Sequence, residues 1–426
     1  MERRTDRRRW LTAAVIATAT VLALAGCSAD DDDGTTAGST AAPGTTPTAD
    51  TAAPASAVDY ADRGPYEVGR TTLDLDGVEV FVYYPADEAG TAEAEHLTEV
   101  SSDLAFPESF REIAPPFFIQ QLDTDVYLDA PASTEGPFPL VLHSHGFSGY
   151  PLYATGHLEH TASWGYVVAA PSHPSRNLAA SLGGGGGDAG PDADVVDLEN
   201  TITRMEALNE DATSVLFGTI DPDRLAAEGH SAGGGAVGQL ALRDDRLSTI
   251  IGQAPGAPVD LTGVDRDAPD EERAAAIAAA LAGVTPPELP VLYLAGERDG
   301  VIPLTAVQAV FEWLAPPKQL VVVANAGHNP FLDICAPLAA QGGLVANAGE
   351  LAENPAIAPL LELGEDGCID GYLEPALGYD LIDHTTVAWL RWVFGDDDTT
   401  AALSPEFLEA TFPEATGPVE SDLGDG

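Results

Sequence analysis

The sequence predicts an α/β fold with a mostly parallel central sheet, helices on both faces and an N-terminal antiparallel edge. Three observations carry this. From Phe138 onward, short apolar runs alternate with helical stretches, the pattern of a buried parallel sheet. Ahead of them, two strand-like segments flank Asp76-Gly77, a pair suited to a tight hairpin turn. One apolar run ends at Gly229-His230-Ser231-Ala232-Gly233, a sharp strand-to-helix turn with a serine at its apex.

In chain order, Thr71 to Leu75 and Val78 to Tyr84 form the hairpin, and Asp125 to Leu128 is a third short strand. Residues 97–122, with Pro107, Pro115 and Pro116, read as irregular. The core strands are Phe138 to Leu142, Tyr166 to Ala170, Leu225 to Gly229, Thr249 to Gln253, Val291 to Ala295 and Gln319 to Val323. Helices are expected at Leu152 to Trp164, 194–217, Ala232 to Leu242, Asp270 to Ala282 and Val307 to Trp313. Residues 257–290 are expected to form a small lid.

The ends do not read as part of this fold. Residues 1–26 look like an export signal: five arginines, then an apolar stretch from Trp10 to Leu24 that is too short for a membrane span. Arg7-Arg8-Arg9-Trp10-Leu11 also suits a twin-arginine signal. Leu24-Ala25-Gly26-Cys27 resembles a bacterial lipobox, which makes Cys27 the lipidation site and the protein an exported, membrane-anchored lipoprotein of the cell envelope. Residues 27–58 then form a disordered tether rich in Ser, Thr, Ala, Asp, Gly and Pro. The folded domain is expected at 59–395, followed by a loosely packed acidic tail at 396–426.

The formal charge is −50, from 18 Lys plus Arg against 68 Asp plus Glu, and Lys318 is the single lysine. Such a surface repels nucleic acid. It also suits high salt, where self-repulsion is screened. Cys335 and Cys368 remain after Cys27, and an even pair in an exported chain reads as a disulfide. Closing that loop stabilises by about 3–4 kcal/mol on a chain-entropy argument.

The chemistry centres on Ser231. Glycines on either side let the turn adopt unusual backbone angles and let neighbouring backbone approach closely. In this arrangement an acid and then a histidine follow later strands. Asp299, after Val291 to Ala295, fits the acid better than its neighbour Glu297. His328, in Asn325-Ala326-Gly327-His328-Asn329, fits the general base. The oxyanion hole needs two backbone N–H groups. Ala232 and Phe147 are assigned to it, the latter from the loop His143-Ser144-His145-Gly146-Phe147.

Several segments together resemble the platelet-activating-factor acetylhydrolase and dienelactone-hydrolase-like branch of the α/β hydrolases. They are Phe138 to Phe147, Ser163-Trp164-Gly165-Tyr166-Val167-Val168, Asp221-Pro222-Asp223-Arg224, Gly327-His328 and Asp333-Ile334-Cys335. The resemblance covers roughly residues 66–395. The layout is also similar to bacterial cutinase-like polyester hydrolases, although Gly256 stands where those usually carry an aromatic residue. The resemblance implies an α/β-hydrolase fold and hydrolysis of carboxylic esters, with a serine peptidase or amidase as the rival activity and a non-catalytic binding protein as a remoter one.

The other features take blander readings. His143-x-His145 and His157-x-x-His160 have spacings zinc could use, yet the first pair is read as shaping the oxyanion loop and the second as lying on a surface helix. No metal and no cofactor are expected. His173 is a candidate pocket residue, and His384 a capping or packing residue. The run Gly183 to Gly187 lacks the Lys and Ser or Thr of a phosphate loop and reads as a mobile loop. Glu228 beside the nucleophile is expected to be a paired structural carboxylate. The expected partner is a small-molecule or lipid-like ester, with the protein acting as a monomer.

Overall fold

Among the described residues eleven strands build one sheet: β1 (Glu67–Leu75), β2 (Val78–Ala86), β3 (Glu95–Ser101), β4 (Gln121–Leu128), β5 (Phe138–Ser144), β6 (Val167–Pro171), β7 (Ile220–His230), β8 (Leu247–Gln253), β9 (Val291–Gly296), β10 (Lys318–Val323) and β11 (Thr416–Asp422). The helices are α1 (Glu108–Arg111), α2 (Thr155–Ser163), α3 (Leu178–Ser181), α4 (Ala193–Glu210), α5 (Ala232–Ala241), α6 (Asp270–Leu281), α7 (Leu304–Trp313), α8 (Cys335–Ala340), α9 (Ala358–Glu365), α10 (Pro375–Val393) and α11 (Pro405–Thr411). The structure is a computed structural model that describes residues 57–112, 114–183, 192–261, 264–265, 268–355 and 357–424. The expected signal segment 1–26, Cys27 and nearly all of the tether lie outside these residues, as do Gly184 to Gly187 of the glycine run. Among the described residues no helix is long and apolar enough to cross a membrane.

The strand order is β11-β10-β9-β8-β7-β5-β6-β2-β1-β4-β3. From β6 through β5, β7, β8 and β9 to β10 every pairing is parallel. The hairpin forms as expected: Leu75 pairs with Val78, and Asp76 and Gly77 both take positive φ, 55° and 94°. Both central residues of this tight turn need that region.

Alternation along the strands divides the core in two. In β5, Val141 joins the layer containing Leu158 of α2 and Trp389 of α10, whereas Leu140 and Leu142 join the layer containing Ile202 of α4 and Val237 of α5. In β10, Val321 and Val323 face the first layer, and Leu320 and Val322 the second. This period of two leaves both faces of the sheet covered by helices.

Two parts differ from the sequence reading. The acidic tail folds: Leu403, Leu408 and Ala415 are buried in the core, and β11 pairs antiparallel with β10. Its charged residues, Glu420 and Asp422, lie on an edge strand, where charge blocks further pairing. At the opposite edge, β3 is an added strand in the segment read as irregular. Of its seven residues only Val100 is buried, so it carries little hydrophobic signal.

Candidate active site

The parallel register brings the ends of β5, β7, β8, β9 and β10 to one edge of the sheet, where ligands bind in folds of this kind. Ser231 sits between β7 and α5 with φ 56° and ψ −118°. A non-glycine residue held there costs about 1–3 kcal/mol, so the surroundings must enforce it. They do so by close approach. A Cβ on Gly229 would lie 2.4 Å from the Gly233 carbonyl, and one on Gly233 would lie 1.8 Å from the Ser144 oxygen. Ser231 N–H donates to Gln253 O at 2.9 Å, and Ser231 O accepts from Gly256 N at 2.8 Å.

His328 and Asp299 complete a chain of hydrogen bonds. His328 Nε2 is 2.8 Å from Ser231 Oγ, and His328 Nδ1 is 2.8 Å from Asp299 Oδ2. A carboxylate only accepts, so Nδ1 carries the proton and Nε2 is free to accept from the serine hydroxyl. The other Asp299 oxygen accepts from Val301 and Ile302 N–H at 2.8 and 2.7 Å, which fixes the carboxylate. Glu297 points elsewhere: it accepts from Asn325 N–H at 2.7 Å and holds the start of the histidine loop. All three members of the chain are buried.

The loop assigned to the oxyanion hole lies directly against the serine. A Cβ on Gly146 would be 3.2 Å from Ser231 Cβ. Phe147 is half exposed at the cavity mouth. Ala232 opens α5, so its N–H has no acceptor within the helix. Arg176, which the sequence reading passed over, grips this loop from behind. Its guanidinium donates to His145 O and, at 2.8 Å, to Ser144 Oγ, and is anchored by Asp194 at 2.6 Å. Burial, then the charges of Arg176 and His173, hold the His145 imidazole well below its ordinary pKa. Its Nε2 lies 2.8 Å from Ser172 O and its Nδ1 2.8 Å from Gly146 O, which fixes the ring in the loop.

Several sequence expectations are corrected. His173 does not line the cavity; it is fully buried between Ser144 Oγ at 2.9 Å and Asp197 at 3.0 Å. His157 and His160 are not on a surface face, because α2 is buried almost throughout. His143 and His145 diverge to different partners. His143 Nδ1 and His157 Nε2 bind the two oxygens of Glu228, at 2.8 and 3.1 Å. Asp383 takes His157 Nδ1 at 2.6 Å. Glu228 is thus a paired structural carboxylate, as its position beside the nucleophile suggested. Burial alone would raise it, but the two imidazoles hold it down to about 2. His384 is a packing residue whose Nε2 donates to Ala402 O.

Asp366 is a second residue the sequence did not single out. Its Oδ1 accepts from His328 N–H at 2.6 Å, and its backbone oxygen accepts from Asn329 N–H at 2.9 Å. Burial, followed by the neighbouring Asp299 charge, raises its carboxyl pKa. His230 ties the same loop from the Ser231 side, with Nε2–H donating to His328 O at 2.9 Å.

Ser231 and His328 open onto a cavity of about 150 Å³. Phe106, Phe110 and Phe118 line one side, and Leu344, Leu351 and Leu360 another. The expected lid at 257–290 does not border this cavity among its described residues. Its helix α6 instead buries Ile277 and Leu281 in the core layer that holds Val310 of α7. The cover comes from Phe106, Phe110 and Phe118 and from residues such as Leu344, Leu351 and Leu360 in the loop that the Cys335–Cys368 disulfide closes.

A family model described as chlorophyllase matches residues 119–265. The match runs from β4 through the His143–Phe147 loop and Ser231 and ends before Asp299 and His328. No curated protein matches the chain. Chlorophyllase is an ester hydrolase of the α/β-hydrolase type, and the strand order, the serine turn and this similarity together place the chain in the α/β-hydrolase superfamily.

Proposed function

We propose that the protein is a serine esterase that cleaves carboxylic esters through an acyl-enzyme. The observation that carries this reading is the Ser231–His328–Asp299 hydrogen-bond chain at the floor of an apolar cavity. Ser231 Oγ attacks the ester carbonyl carbon as its proton passes to His328 Nε2. The resulting oxyanion accepts from the N–H groups of Ala232 and Phe147. As the C–O bond breaks, His328 returns the proton to the departing alkoxide. Water then repeats the sequence on the acyl-enzyme and releases the acid. Asp299 keeps the imidazole in the required tautomer and stabilises the imidazolium; no step calls on a cofactor. The protein acts as a monomer, exported and held on the outer side of a membrane through lipidated Cys27.

The test is p-nitrophenol release from a ladder of esters, acetate to palmitate, in low and high salt, beside Ser231→Ala. Turnover in the parent that is lost in the variant supports the reading. Equal rates in both, or none on any ester, would exclude it.

A further inference from the structure

The cavity is more selective in composition than the surface around it. In a chain with 20% charged residues, none of the cavity's lining residues among those described is Asp, Glu, Lys or Arg. Its polar groups are largely spent on the protein. Tyr150 O–H donates to Glu79, Tyr153 O–H to Ser102 O, and the Asn329 amide to Leu363 O. Beyond Ser231, His328, the unpaired Nδ1 of His230 and the backbone N–H groups, most of what meets a ligand is hydrocarbon.

Much of that hydrocarbon comes from one stretch. Leu338, Leu344, Leu351, Ile357, Leu360 and Leu361 all lie between Cys335 and Cys368. Within this stretch the core is small: Cys335, Leu338 and Cys368, with Leu344 packed against them. Leu344, Leu351 and Leu360 are only partly buried. Three leucines that line a cavity instead of completing a core leave apolar area for a ligand to cover. The stretch is held by the disulfide, by Glu365 accepting from Val345 N–H, and by the bonds from Leu363 and Asp366 to the histidine loop.

We propose that the disulfide-closed segment Cys335–Cys368 is the chain-selecting wall of the site, and that the ester it admits carries an uncharged aliphatic chain. This rests on the esterase reading for its chemistry but not for its binding. Each methylene buried against the wall is worth about fourfold in kcat/KM. The attraction is dehydration and dispersion, so charged or strongly hydrated groups gain nothing there.

Two series test it on the full chain: p-nitrophenyl esters from acetate to decanoate, and alkyl acetates of matching length. In Leu351→Ala/Leu360→Ala the octanoate-to-acetate ratio of kcat/KM, or its octyl-to-methyl counterpart, falls at least tenfold. Leu360→Trp, which fills the cavity, moves the optimum to shorter chains. Chain-length profiles unchanged in both series and both variants would overturn the proposal. Calorimetric binding of 1-octanol gives a reading independent of turnover. The double alanine variant binds it at least fivefold more weakly, and equal binding would overturn the proposal even if no ester were cleaved.

Discussion

Glu228→Gln tests how the strand beneath the nucleophile is held. Glu228 is fully buried, three residues before Ser231, with one oxygen on His143 and the other on His157. Burial alone would lower the His157 pKa, but the Glu228 and Asp383 carboxylates raise it well above the ordinary imidazole value. The glutamine keeps the shape and removes the charge, leaving a buried imidazolium short of one partner. Breaking a buried pair in this way costs about 3–5 kcal/mol. The compact unit spans Ala55–Gly426. At about 2.1 cal/mol/K per residue its unfolding entropy is about 0.8 kcal/mol/K, so Tm falls by about 4–6 °C. The pH dependence follows from the two shifts. Glu228, depressed from 4.5 to about 2, contributes stability that is present above 4.5 and lost as pH falls toward 2. His157, raised above 6.5, contributes stability that is present below 6.5 and lost as pH rises through its folded value. The Tm gap between parent and variant is therefore widest between pH 4.5 and 6.5. Scanning calorimetry across pH 3 to 9 measures both effects. A variant melting within about 1 °C of the parent throughout would refute the argument that this carboxylate is an ionised, paired group.

Other substitutions probe the site itself. Gly233→Ala places a Cβ 1.8 Å from the Ser144 carbonyl, which must move the oxyanion loop or the helix. The expected cost is about 1–3 kcal/mol of stability and on the order of 100-fold in kcat/KM, read by melting and ester kinetics. Asp299→Asn should retain the fold yet lower kcat by about 10³–10⁴, because the favoured tautomer of His328 is lost; a loss under tenfold would point to another acid. Asp366→Ala removes a charge-assisted bond to His328 N–H worth about 1.5–3 kcal/mol and should lower kcat with KM little changed. Asp366→Asn, whose amide oxygen can accept the same bond, should recover most of that loss; equal impairment in both would assign the effect to charge instead.

Much of the fold was legible because its signals are local. Asp76-Gly77 specifies its turn, and the apolar runs ending at His143, Gly229 and Ala295 mark strands buried on both faces. The three residues of the hydrogen-bond chain were legible for a similar reason: each follows a strand in a fixed order along the chain. What escaped were features made by distance. β11 is acidic and mostly exposed, and only pairing with β10 makes it a strand. Arg176 and Asp366 look like ordinary loop charges until folding sets one behind the oxyanion loop and the other under His328. Residues 257–290 read as a lid, but the apolar residues of their helix α6, Ile277 and Leu281, pack on the core beside α7. The actual cover includes short helices, α8 and α9 among them, whose leucines extend over too few turns to give a readable helical period.

The central claim is that Ser231 is an activated nucleophile, and covalent capture tests it most directly. The full chain is treated with an alkyl fluorophosphonate, and the adduct is located by peptide mass mapping. A single adduct on Ser231, absent in Ser231→Ala and greatly slowed in His328→Ala, is the predicted result. No adduct, or one on Ser231 that forms as fast without His328, would contradict the account.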